Sequence, residues 1–192
     1  MQKVVRIIAL SLGVSLLSGC FVPFVAGAAI GGAIVYDRRD FETMANDQEI
    51  FQQTNNKINI DNELKNDAHI VVTSFNRSVL IVGQAPTEAL RARAQQLVAS
   101  VPNIKRIYNE VSISGPTSPA VRSSDAWITT KVKSQMLVET KLRSGQIKVL
   151  TEDSVVYLMG VVHREQADIA VDIARQVSGV QRVVKIFEYI PD

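Results

Sequence analysis

From about residue 46 onward, the apolar positions of this chain form one pattern written twice. Val79-Leu-Ile-Val-Gly83 aligns with Val156-Tyr-Leu-Met-Gly160 at an offset of 77, and Ile70 and Val72 align with Ile147 and Val149 at the same offset. One residue is then lost. At an offset of 76, Ala94, Leu97, Val98 and Val101 fall on Ala170, Ile173, Ala174 and Val177, and Ile104 and Ile107 fall on Val180 and Val183. Each copy predicts the same elements. A helical stretch opens it (48–64, then 125–140). Two apolar runs follow (68–75 with 78–84, then 146–151 with 154–162), joined by short turns at Asn76-Arg77 and Glu152-Asp153. A long helix comes next (87–101 and 164–177). In the second, Ile169, Ile173 and Val177 recur at helical spacing. A last strand closes each copy, 105–113 and 181–190. The order αββαβ implies an α+β unit: a small mixed three-stranded sheet with helices packed on one face. The copies span 46–114 and 121–190. Ser114-Gly-Pro-Thr-Ser-Pro-Ala120 supplies a linker over 115–120. About 70 residues is small for an independent core, so the copies are expected to lean on each other.

The first 19 residues follow another pattern. Lys3 and Arg6 precede the apolar run Ile7 to Leu17, and Leu17-Ser-Gly-Cys20 follows. A run this short, behind basic residues and before small ones, is a secretory signal rather than a spanning helix. Leu17 to Cys20 resembles the bacterial lipobox. That resemblance implies cleavage before Cys20, which would carry a diacylglyceryl group and an N-acyl chain. Phe21 follows where aspartate would retain a lipoprotein in the inner membrane. The implied location is therefore the outer membrane, lipid-anchored on its periplasmic face. Residues 21–36 are apolar and rich in Gly and Ala, and are expected to tether the chain beside the bilayer, the alternative being a buried segment that packs on the domains; the whole of 20–45 reads as spacer and linker, with 37–48 polar and without clear period.

Composition then excludes some partners. Of 21 basic and 19 acidic residues, Lys3 and Arg6 leave with the signal peptide, so the mature chain holds 19 of each. No basic excess argues for nucleic acid. Cys20 is the single cysteine, so no disulfide within the chain supports the fold.

The repeat unit resembles the BON domain. The resemblance is carried by the hairpins ending at Gly83 and Gly160, by Arg164-Glu165 with its Ala-rich helix, and by Val177-Ser-Gly-Val-Gln-Arg-Val183. Asp125-Ala-Trp-Ile-Thr-Thr-Lys-Val-Lys-Ser-Gln135 is an especially close match. With the lipobox, the whole is similar to the dual-BON outer-membrane lipoproteins. That implies two tandem BON domains, binding of anionic phospholipids such as phosphatidylglycerol, support of envelope integrity, and no catalysis or further cofactor. The first copy departs more, because its opening helix carries the polar stretch Gln53-Thr-Asn-Asn56, in which Thr54, Asn55 and Asn56 are poor helix formers.

On a helix from Asp125, which reads as its N-cap with Ser123 and Ser124 as alternates, Ile128, Val132 and Met136 form the core stripe. Trp127 falls off that stripe beside Lys131, with Thr130 and Ser134 nearby. Lys133 adds charge and Leu137 apolar surface, so Trp127, Thr130, Lys131, Lys133, Ser134 and Leu137 make a candidate lipid-binding face. The alternative is that Trp127 folds back over its own domain. Gly83 and Gly160 read as fold residues. His69, which begins a strand, and His163, which precedes a helix, lack a neighbouring nucleophile or second metal-spaced histidine and read as ordinary surface or loop residues. Two functions remain: a lipid-binding module, or a tethered protein-interaction scaffold docking envelope-assembly or division machinery.

Overall fold

The structure, a computed structural model, describes residues 41–191; the expected signal peptide, Cys20 and the apolar spacer lie outside the described residues. In the first repeat, α1 (Phe41–Ile60) and the short α2 (Asn62–Asp67) precede the hairpin β1 (His69–Phe75) and β2 (Ser78–Ala85). Helix α3 (Glu88–Ala99) and the strands β3 (Arg106–Asn109) and β4 (Ser112–Ile113) complete it. In the second repeat, α4 (Pro119–Val138) and a 3₁₀ turn (Ser144–Gln146) precede β5 (Ile147–Glu152) and β6 (Val155–Val162). Helix α5 (Arg164–Gln176) and β7 (Arg182–Tyr189) end it.

Both sheets have one topology. The long second strand is central, antiparallel to the strand before it and parallel to the strand after α3 or α5. β4 continues β3 along β2 after an interruption at Glu110 and Val111, which makes the first sheet four-stranded by count. One face of each sheet is covered by its own helices. Val72, Val79 and Ile81 pack under α1 and α3 with Ile50, Ile58, Ala94 and Val98. Val149, Val156 and Leu158 pack under α4 and α5 with Ile128, Val132, Met136 and Ala170.

The opposite faces meet each other. Phe75, Leu80 and Val82 from the first sheet join Tyr157, Met159 and Ile186 from the second in one buried cluster. Every residue of β2 is buried as a result, because each face of that strand has a cover. An unbroken apolar run is the signature of a strand buried on both sides. Polar contacts rim the seam. Gln84 Nε2 donates to Glu152 Oε1 at 2.9 Å, and Lys148 Nζ donates to the carbonyl of Ser74 at 2.9 Å. Lys105 Nζ lies 3.0 Å from Glu188 Oε2.

Several boundaries differ from the sequence reading. The first helix begins at Phe41, inside the stretch 37–48 read as linker, and α4 begins at Pro119, inside the expected linker 115–120. Ser118, not Asp125, caps α4: its side chain accepts from the Val121 N–H, and Pro119 occupies the first turn, where its missing N–H costs nothing. The single helix expected over 48–64 breaks at Asp61, whose carboxylate accepts from Leu64 N–H at 3.1 Å and starts α2. Arg93 pairs with that carboxylate as well. Those bonds hold the Asp61 carboxyl below its usual range, the backbone bond from Leu64 being the chief cause. The second hairpin turns at Asp153-Ser154, one residue later than expected; both residues have positive φ, as do Asn76 and Arg77. Two positive φ values match the tight turn that suits the twist of a hairpin.

Candidate lipid-binding face

Helix α4 is amphipathic in the way its spacing predicts. Asp125, Ile128, Val132 and Met136 are its buried positions. Trp127, Thr130, Lys131, Lys133, Ser134 and Leu137 are all exposed. Trp127 is 53% exposed, so it does not fold back as a cover for its own domain. The Lys131 ammonium sits over its indole ring, 6.0 Å from the centroid. At about 100° per residue, Ser134 stands within one turn of the same line and Thr130 beside it. Both hydroxyls donate into the helix itself, Thr130 to the carbonyl of Ala126 at 2.9 Å and Ser134 to that of Lys131 at 2.8 Å. Their oxygens still offer lone pairs outward.

Lys133 stands apart from this group. It lies roughly 120° around the helix from Trp127, on the flank nearer the core stripe. Val138, which the sequence reading passed over, shares the line of Trp127 and Lys131 and is 77% exposed. Leu137 beside it is 64% exposed. Helical angles carried past Leu137 would have found Val138. The face thus runs from an indole near one end to two aliphatic side chains at the other, with an ammonium and hydroxyls between. No acidic residue lies between Ala126 and Val138.

The same surface of the first domain is chemically different. Helices α1 and α4 correspond at an offset of 78, with Asp47, Ile50, Thr54 and Ile58 buried in register with Asp125, Ile128, Val132 and Met136. Glu49 stands where Trp127 does, Gln53 where Lys131 does and Asn59 where Leu137 does. Only Ile60, opposite Val138, keeps apolar character.

The carboxylates at the head of each stripe have a role that a helix cap does not. Asp125 Oδ2 accepts from the Asp153 N–H and its Oδ1 from the Ser154 N–H, both at 2.8 Å. Asp47 accepts from the Asn76 and Arg77 N–H groups, both at 2.7 Å, and from the Ser74 hydroxyl at 2.9 Å. Each carboxylate therefore holds the positive-φ turn of its own hairpin. Sequence spacing read Asp125 as the cap of this helix and could not show its partner 28 residues away.

The two glycines lie where their hairpin partners crowd them. Gly83 has φ +117°, and a Cβ there would overlap the carbonyl oxygen of His69. A Cβ at Gly160 would come within 2.8 Å of the carbonyl oxygen of Gln146. His69 is not an ordinary loop residue. Its Nε2 lies 3.6 Å from Glu152 Oε1 across the domain seam. Among the described residues, no group of three or more His, Cys, Asp and Glu is placed to hold a metal ion, and no helix is long and apolar enough to cross a membrane.

The BON domain family matches residues 46–115 and 124–191. Over 184 residues, 95% of each protein, the chain is 33% identical to the outer membrane lipoprotein DolP of Haemophilus influenzae. It is 34% identical over 154 residues to a 21 kDa hemolysin of Actinobacillus pleuropneumoniae, covering 80% of this chain and 79% of that protein. Osmotically-inducible protein Y of Escherichia coli is 25% identical over 127 residues, 65% of this chain and 63% of its own length. Two copies of one αββαβ unit, each matched by one family, make this chain a two-domain member of the BON family.

Proposed function

We propose that this protein is an outer-membrane lipoprotein, anchored through acylated Cys20 on the periplasmic face, whose second BON domain binds anionic phospholipid through α4 and so supports envelope integrity without catalysis. The observation that carries the proposal is Trp127, half-exposed, with the Lys131 ammonium over its ring, on a helix face free of acidic residues. An indole suits the boundary between headgroup and acyl carbon, where its ring is shielded and its N–H stays wet. Each lysine near an anionic surface adds about 1 kcal/mol, which selects phosphatidylglycerol over a zwitterionic lipid. Leu137 and Val138 add apolar area at the far end, so the helix lies along the membrane plane rather than across it.

A contact of this size is weak alone. Tethering changes that: an acyl anchor keeps the domain at high local concentration over the bilayer, so a weak, composition-sensitive contact becomes occupied. The resemblance over 95% of the length to an outer membrane lipoprotein supports the location.

Trp127→Glu tests the lipid contact. The substitution removes the ring and places a carboxylate on the face, at a site that buries little of the domain core. Binding of residues 21–192 to phosphatidylglycerol vesicles is expected to fall at least about tenfold, since the added negative charge and the lost ring together exceed roughly 1.4 kcal/mol. The far-UV circular dichroism should not change. Full binding by this variant would sink the proposal.

A further inference from the structure

We propose that Asp125 is a positioning residue for the lipid-reading helix: its buried carboxylate, gripped by the turn of the β5–β6 hairpin, sets the rotation of α4 and thereby turns Trp127 outward. The inference rests on α4 being the lipid-contacting element.

The rest of the α4 contact does not fix rotation well. Ile128, Val132 and Met136 are aliphatic, and aliphatic burial is non-directional. A helix held only by such a stripe can roll by a fraction of a turn at small cost. Hydrogen bonds to a carboxylate are directional and short. Asp125 is 3% exposed and sits mid-helix, a poor place for aspartate by helix propensity and by desolvation. Its two bonds, to the Asp153 and Ser154 N–H groups, offset that burial. A third contact lies on the same side of α4, where Thr129 Oγ1 donates to Thr151 Oγ1 at 2.7 Å. Two residues of helix amount to about 200°, so Trp127 points away from whatever Asp125 points into. Pulling Asp125 onto the turn therefore pushes the indole into solvent.

The other side of the turn is fixed too. Glu152, the residue before Asp153, accepts from Gln84 Nε2 across the seam, and Gln84 Oε1 in turn accepts from the Thr117 N–H in the linker leading to α4. The grip on Asp125 thus refers the rotation of α4 to the first domain as well as to its own sheet. The first repeat contains the same device in Asp47, on a helix whose outer face bears Glu49 instead of an indole. That copy supplies an internal control: equal in structure, without the lipid face.

Mature acylated protein in vesicles gives the test, because Trp127 is the chain's only tryptophan and its emission reports the face directly. Quenching by brominated phosphatidylglycerol is compared for wild type, Asp125→Asn and Asp47→Asn. An amide can accept one N–H but presents its own N–H₂ to the second, so each variant should melt roughly 3–10 °C lower. Asp125→Asn should lose at least about threefold in phosphatidylglycerol-dependent quenching, as the outward-facing rotation becomes a minority state. Asp47→Asn should keep it. Equal quenching in all three proteins, or equal loss in both variants, overturns the inference while leaving the lipid contact standing. No quenching in wild type removes the lipid contact itself. Should Asp125→Asn fail to fold, Thr129→Val loosens the same side of the helix, and unaltered quenching in that variant overturns the inference equally.

Discussion

A few residues hold positions that no other side chain can take. Gly83 combines a positive φ with a backbone oxygen where its Cβ would be, so two independent penalties fall on one substitution. Gly83→Ala is expected to cost about 2–4 kcal/mol in urea unfolding, and Gly160→Ala less, because Gly160 meets only the close oxygen. An inverted order would mean that strand β2 yields more readily than its burial implies. Both glycines were legible in the sequence because they end matching apolar runs. The partner of each was not, since the crowding oxygen belongs to His69 of β1 for Gly83 and to Gln146, at the end of the 3₁₀ turn before β5, for Gly160. Trp127 was legible for a related reason: helical angles alone put it off the core stripe. What angles could not decide was whether the ring would fold back, and the position of the Lys131 ammonium over an exposed ring is a property of side-chain packing.

At the scale of elements, the hairpins and long helices followed from periodicity, while the ends of the opening helices did not. Helices α1 and α4 each run six residues ahead of their first buried position, Asp47 or Asp125. Those leading residues are mostly exposed, so they carry no hydrophobic period to read. The polar stretch Gln53-Thr54-Asn55-Asn56 forms helix despite weak propensity, because Ile50 and Ile58 anchor it on both sides. Thr54 itself is fully buried, and its hydroxyl donates to the Ile50 carbonyl at 2.7 Å, an oxygen that the helix already supplies with an N–H. Its counterpart in α4 is Val132. Thr54→Val therefore orphans no acceptor and buries a methyl group. A gain of roughly 0.5–1 kcal/mol in thermal or urea unfolding is expected. A loss of similar size would show that the hydroxyl, and not the stripe, holds α1 to its sheet.

The whole molecule is built around a feature that repeats alone cannot reveal, the pairing of the two sheets through their helix-free faces. The small size of each copy implied mutual support, and the continuous apolar runs in β2 and β6 were consistent with burial on both sides. Yet identical units could have stacked through helices instead, and nothing in the spacing chooses between these. Tyr157 reports on the arrangement that exists. Its ring lies in the shared cluster at 3% exposure, and burial pushes the phenol up to about 12, with the Glu110 charge adding to the shift and Arg182 opposing it. The folded state thus favours the neutral phenol over the unfolded state, where tyrosine titrates near about 10. Because the folded value is the higher one, this contribution to stability is intact below about pH 10 and is lost as pH rises towards 12. Absorbance at 295 nm should show one tyrosine ionising only near pH 12, together with loss of the near-UV circular dichroism of both domains, and that late step should vanish in Tyr157→Phe. Ionisation of Tyr157 near pH 10 with both domains still folded would mean that the sheets part freely. The second domain would then hold α4 without the first domain as its base.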